Sequence, residues 1–165
     1  MSFKACKRIL LVLGIIMIVI SPYASCVGGL GTAMGGTTND YLESYENQND
    51  MLGGVMIDGQ FYDSNDYSEA KSQASAMQTS STFMVFYGIL HLVEGILAII
   101  TSRKPNVGKV TSVFAIIGII VAIGTEAPYF SLGGSFIRGA LIRLALSMVM
   151  DILVFTAARK IQSIN

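Results

Sequence analysis

The chain has 165 residues, 52% of them hydrophobic and 13% charged, with 11 Lys and Arg against 11 Asp and Glu. Soluble domains carry roughly a quarter of their residues as charges, so this composition excludes both an ordinary water-soluble globule and a disordered tail. Zero net charge, one His and no Trp leave no basic face for nucleic acid, and the length allows a single domain.

Four apolar runs with few charges follow in chain order: Ile9 to about Val27, Phe83 to Thr101, Val110 to about Ala127, and Phe136 to Ala157. Each approaches the roughly 20 residues that cross a bilayer core as a helix. The reading is an all-α membrane protein, a four-transmembrane-helix bundle with a small extracytoplasmic cap of one short helix and a β-hairpin between helices 1 and 2. Pro22 and the glycines at 28, 29, 31, 35 and 36 predict a kinked or frayed outer end for the first span.

Charge sorts by loop. Lys4, Lys7 and Arg8, then Arg103, Lys104 and Lys109, then Arg159 and Lys160 make 8 basic residues with no acid among them. The insert at 28–81 holds 8 acids and Lys71 alone. By the positive-inside rule both termini and the turn between spans two and three are cytoplasmic, with the insert outside; the expected place is a bacterial plasma membrane.

The start of the chain also fits a secretory signal ending at Cys26, since Tyr23-Ala24-Ser25-Cys26 matches a lipoprotein processing box at its last three positions. Tyr23 stands where that box has an aliphatic residue, and apolar and small residues continue to Met34, so a retained span is preferred.

Within the insert, Asp40 and Glu43 form a capping box for a short helix to about Asn49. Val55-Met56-Ile57 and Gln60-Phe61-Tyr62 flank Asp58-Gly59, a type I′ hairpin pattern. Asp66 with Glu69 repeats the capping pattern, so the second helix is expected to start near Tyr67 and run about 35 residues, roughly 52 Å. The aromatic residues Tyr41, Tyr45, Phe61, Tyr62 and Tyr67 fit a cap over the bundle.

A charge inside a span costs roughly 2.5 to 3.5 kcal/mol on insertion scales, so each needs a partner or a task. Tyr87, His91 and Glu94 share one helical face of span two, and Arg143, Ser147 and Asp151 share one of span four. Counted from Phe83 and Phe136, Arg143 is level with His91, and Asp151 lies deeper. The expected contact is therefore Glu94 with Arg143, assisted by His91, and Glu126 is expected to pair with Arg138 near the outer boundary. Such pairs hold helices together. The alternative is a proton or ion path lined by Tyr87, His91, Glu94 and Asp151, which in so small a bundle requires an oligomer.

Enzyme patterns fail. His91 and Glu94 form His-x-x-Glu without the second His of a zinc protease, and one His needs several carboxylates beside it to hold a metal. No cofactor or metal is expected. Cys6 and Cys26 sit roughly 30 Å apart along a helix and cannot pair with each other. Asp63-Ser64-Asn65 opens like a calcium loop, but Ser68 and Ala74 occupy its Gly and Glu positions. Gly133-Gly134-Ser135 is loop punctuation, not a nucleophile elbow.

Gly88 and Gly95, with Ala98 near them, and Gly118 with Ala122 fit close helix approach. The run Gly95-Ile96-Leu97-Ala98-Ile99-Ile100 into Arg103-Lys104-Pro105, then Gly108 and an Ile/Gly-rich span, resembles small four-span bacterial membrane proteins of unknown function that share a basic Lys-Pro turn and a long outer loop after span one. The resemblance covers about 40 residues and implies the four-span topology, with no catalytic residue to carry over. The expected function is a non-enzymatic structural, interaction or accessory subunit. Its partners are the lipid bilayer and either another membrane protein or further copies of itself. An oligomeric ion-coupled transporter or channel using His91, Glu94, Arg143 and Asp151 is the alternative.

Overall fold

Small side chains recur every seventh residue at Gly14, Ser21, Gly28 and Gly35, and again at Ala74, Ser81, Gly88 and Gly95. In the computed structural model, which describes residues 2–49, 54–57 and 60–164, the two series lie on two antiparallel helices, α1 (Phe3–Asn49) and α2 (Ser64–Arg103). Gly14 meets Gly95, Ser21 meets Gly88, and Gly28 meets Ser81. A seven-residue interval keeps the same faces together along two coiling helices, and small residues let their backbones approach. The approach is close: a Cβ on Gly28 would stand 2.7 Å from the Ser81 carbonyl oxygen, and one on Gly88 would stand 2.9 Å from that of Ser21.

This seam corrects two expectations. α1 does not end near Val27, and Asp40 to Asn49 is not a separate short helix; one helix of 47 residues, roughly 70 Å, passes through Pro22 and all five glycines. Pro22 removes one donor from the helical ladder, a cost of about 3 kcal/mol, and the contact face along α2 outweighs it. Gly28, Gly31 and Gly35 are packing positions against α2, not a frayed end. Asp40 and Glu43 therefore lie inside α1, where Glu43 reaches Lys71 at 4.0 Å.

α2 also starts earlier than expected, at Ser64, and runs for 40 residues. Its cap is Asp63, not Asp66: in an extended conformation, the Asp63 Oδ1 accepts the N–H groups of Asn65 and Asp66, both at 2.9 Å. Asp63 ends a two-stranded antiparallel hairpin of β1 (Gly54–Ile57) and β2 (Gln60–Asp63), with Ile57 opposite Gln60. The expected Asp58-Gly59 turn lies outside the described residues.

A single 3₁₀ turn at Pro105–Val107 leads into α3 (Gly108–Leu132), and Gly133 alone separates α3 from α4 (Gly134–Gln162). All four helices are long and apolar enough to cross a membrane. No more than 33% of the most apolar window of each is buried, and residues such as Val19, Ile120 and Leu146 are exposed, so hydrocarbon rather than water is the fitting surround. Several hydroxyls close onto their own helix four residues back, as Ser112 does on the Gly108 carbonyl and Thr125 on that of Val121.

The chain path gathers the start of α1, the α2–α3 connection and the end of α4 at one end of the bundle, and with them the 8 basic residues of those segments. Cys6, Leu10, Ala98, Ala115, Val154 and Ile161 form the core there. α1 and α2 outrun the shorter α3–α4 hairpin at the other end and continue as a two-helix stalk. Leu42, Tyr67 and Ala74 form its own small core, and the Tyr67 hydroxyl donates to the Leu42 carbonyl at 2.8 Å.

Candidate functional site

The α3–α4 turn sets the geometry of the polar residues. With only Gly133 between the helices, α3 and α4 run back along each other in one register, so Glu126 faces Arg143 and Gly118 faces Asp151. Thr101 and Thr111 do the same for α2 and α3, their buried hydroxyls 2.7 Å apart close to the Lys-Pro turn. These two hairpins bring Glu94 of α2, Gly118 of α3 and Asp151 of α4 to one level near the middle of the spans.

There the structure joins Tyr87, His91, Glu94 and Asp151. The His91 Nε2 lies 2.9 Å from the Asp151 Oδ1, and the Tyr87 hydroxyl donates to the Asp151 Oδ2 at 3.3 Å. The Tyr87 and His91 rings stack at 3.9 Å between centroids, tilted by 47°. Glu94 and Asp151 are both wholly inaccessible to solvent. Asp151 has two partners, whereas neither carboxylate oxygen of Glu94 has a hydrogen-bond partner among the described residues.

Gly118 is the third wall. A Cβ there would sit 3.0 Å from the Asp151 Oδ2 and 3.2 Å from the Glu94 Oε2, so its bare backbone leaves the space beside both carboxylates free of side chain. One donor atom from each of His91, Glu94 and Asp151 falls within 4.8 Å of the others. Two acids sealed from water in a medium of low dielectric either hold their protons or need positive charge beside them. Among the described residues, His91 is the only group bonded to either that can carry it.

Two expected pairings are corrected. Glu94 does not meet Arg143; Arg143 grips Glu126 through Nε at 3.0 Å to both carboxylate oxygens and Nη2 at 2.7 Å to Oε2, and lies over the Tyr129 ring. Arg138 is exposed and is not the partner of Glu126. The depth count from Phe136 caused both errors, because it treated the first apolar residue of each span as a common level. The tight turn sets the level instead, raising Arg143 toward the stalk end and leaving Asp151 opposite His91. Ser147 sits between the two groups, adjoining the Tyr87 hydroxyl while its own hydroxyl donates to the Arg143 carbonyl at 2.8 Å.

Sequence reasoning placed Tyr87, His91, Glu94 and Asp151 on compatible faces but took Gly118 for a packing residue only. A glycine in the same span region as three intramembrane ionisable groups was the available signal. Cys6 is buried and Cys26 exposed, and both are free thiols. No protein-family model, curated protein or solved structure matches this chain, so the chemistry of the cluster itself carries the functional reading.

Proposed function

We propose that this chain is a non-enzymatic, multi-pass membrane protein that binds a cation inside its bundle and moves it across the bilayer as part of an oligomer. The observation that carries the reading is Glu94. A residue retained to join helices is bonded to one, as Asp151 is to His91 and Glu126 to Arg143, yet both Glu94 oxygens are buried without a partner. Intramembrane carboxylates that are not holding helices together are expected to hold ions. A single bundle of four helices leaves no room for a continuous path, so neighbouring copies complete it. The charge pattern supports cytoplasmic termini, an outward acidic stalk and a bacterial plasma membrane. The packing of Gly14 against Gly95 and of Ser21 against Gly88 supports a first span that is retained.

The test is flux. Full-length protein in liposomes, with a membrane potential imposed and internal ion-sensitive dyes, is expected to conduct a cation. Glu94→Gln is expected to abolish that movement with the helical circular dichroism intact. No flux of protons, monovalent or divalent cations through the wild-type protein sinks the reading.

The stalk supports a second reading, an accessory or interaction subunit. α1 and α2 continue beyond the α3–α4 turn with their own core, and Tyr41 stands exposed on the stalk. Cross-linking from the stalk in native membranes, followed by mass spectrometry, is expected under that reading to capture one defined membrane protein even in the Glu94→Gln variant.

A further inference from the structure

We propose that His91, Glu94 and Asp151 bind one divalent transition-metal ion, through the His91 Nε2 and one carboxylate oxygen from each acid. This rests on the cation-binding reading above and names the class of ion.

Three features of the cluster select that class. The first is charge: two carboxyl groups that give up their protons as an ion binds supply two negative charges, which a divalent ion cancels and a monovalent ion leaves half uncompensated. The second is donor type. An imidazole with two carboxylates suits zinc, manganese or ferrous iron, whereas calcium takes six to eight oxygens and magnesium keeps most of its waters, neither of which this sealed, three-donor site supplies. The third is fit. The His91 Nε2 and Asp151 Oδ1 are already 2.9 Å apart, and all three donors lie within 4.8 Å. Donors around one ion at about 2.0–2.2 Å stand roughly 3.5 Å apart in a tetrahedron, so the widest pair has to close by about an ångström.

Glu94 is the residue able to make that movement. No hydrogen bond restrains its carboxylate, and it lies beside the space that Gly118 leaves open. Asp151 is the fixed ligand, held by Tyr87 through its other oxygen. Such an outer hydrogen bond orients a ligand for its metal. His91 is fixed likewise by its stacking on Tyr87. Two anchored donors and one free carboxylate form a site that closes on the ion from the α2 side.

The experiment uses the full chain in detergent micelles, stripped with chelator and titrated with Co²⁺ while visible absorption is followed, then competed with Zn²⁺, Mn²⁺ and Ca²⁺. One Co²⁺ per chain is expected, with the intense visible bands of a low-coordinate nitrogen–oxygen site, displaced by Zn²⁺ and not by Ca²⁺. Glu94→Gln is expected to weaken Co²⁺ binding by at least about tenfold with unchanged helicity. If that variant loses helicity, Gly118→Ala tests the site from the backbone side, its added methyl entering the space beside both carboxylates and weakening Co²⁺ binding. Absence of Co²⁺ bands in the folded wild-type protein, equal affinity in the variant, or displacement by Ca²⁺ as effective as by Zn²⁺ overturns the proposal. Metal binding without flux overturns the transport reading and upholds the metal site. Glu94-dependent flux of a monovalent ion by a chain that binds no Co²⁺ does the reverse.

Discussion

Gly14 and Gly95 are pressed back to back: a Cβ on Gly14 would lie 2.6 Å from the Gly95 carbonyl oxygen, and one on Gly95 would lie 2.7 Å from that of Gly14. Any side chain at either position has to part α1 from α2, because the obstacle is backbone. Gly95→Leu is expected to destabilise the bundle by about 3 kcal/mol, the upper end for overpacking. Gly29→Ala should instead gain about 0.5–1 kcal/mol, since its Cβ meets nothing within 4 Å and the helix loses a glycine. Unfolding in mixed micelles, followed by circular dichroism, measures both; equal effects at the two sites contradict the seam.

The Glu126–Arg143 pair joins α3 to α4, and Arg143 has half of its side chain exposed. Glu126→Gln leaves that guanidinium without its counterion, a change expected to cost about 1–3 kcal/mol. Pairing it with Arg143→Met should recover most of the loss. A double-mutant cycle with additive effects would mean that the pair is incidental.

Glu94 and Asp151 are neighbours with opposite expected behaviour in metal-free protein. Asp151→Ala strands the buried His91 and Tyr87 and should cost about 2–3 kcal/mol. Glu94→Gln breaks no hydrogen bond and replaces a buried carboxyl with an amide, so stability should hold within about 0.5 kcal/mol or rise. A large loss on Glu94→Gln, rescued by neutralising Arg143, would restore the helix-joining role that the geometry denies it.

The α3–α4 turn depends on two left-handed glycines, Gly133 at φ 73° and ψ −167° and Gly134 at φ 54°. The first conformation is essentially reserved for glycine, so Gly133→Ala should cost about 1–3 kcal/mol. Gly134 has a positive φ, which Asn tolerates better than Ala, so Gly134→Asn should be milder than Gly134→Ala. The same unfolding assay ranks the three variants, and a neutral Gly133→Ala contradicts the turn.

The four spans, the hairpin strands and the polar faces were legible because each depends on a short-range pattern: apolar length, alternation, and the three-to-four-residue spacing of Tyr87, His91 and Glu94. The pairings were not, because they depend on register. Whether Glu94 meets Arg143 or Asp151 is decided by one residue at Gly133, and a count of depth from apolar boundaries carries an error of a full turn or more. Pro22 and the glycines after it misled in another way. Read singly they are helix breakers; read at intervals of seven, Gly28 and Gly35 extend a small-residue series whose complement lies on a second helix.

That seam has one further consequence. A row of near-identical small residues at a fixed interval tells α1 and α2 which faces to join but hardly how far along, since sliding by one interval, roughly 10 Å, would again set small against small. What distinguishes one setting from the next lies in the stalk, where the Asn39 amide donates to Gln78 at 3.0 Å and the Tyr67 hydroxyl to Leu42 at 2.8 Å. The part of the molecule that projects from the bundle therefore works as a vernier for the α1–α2 seam within it, fixing the one height along α2 at which α1 comes to rest.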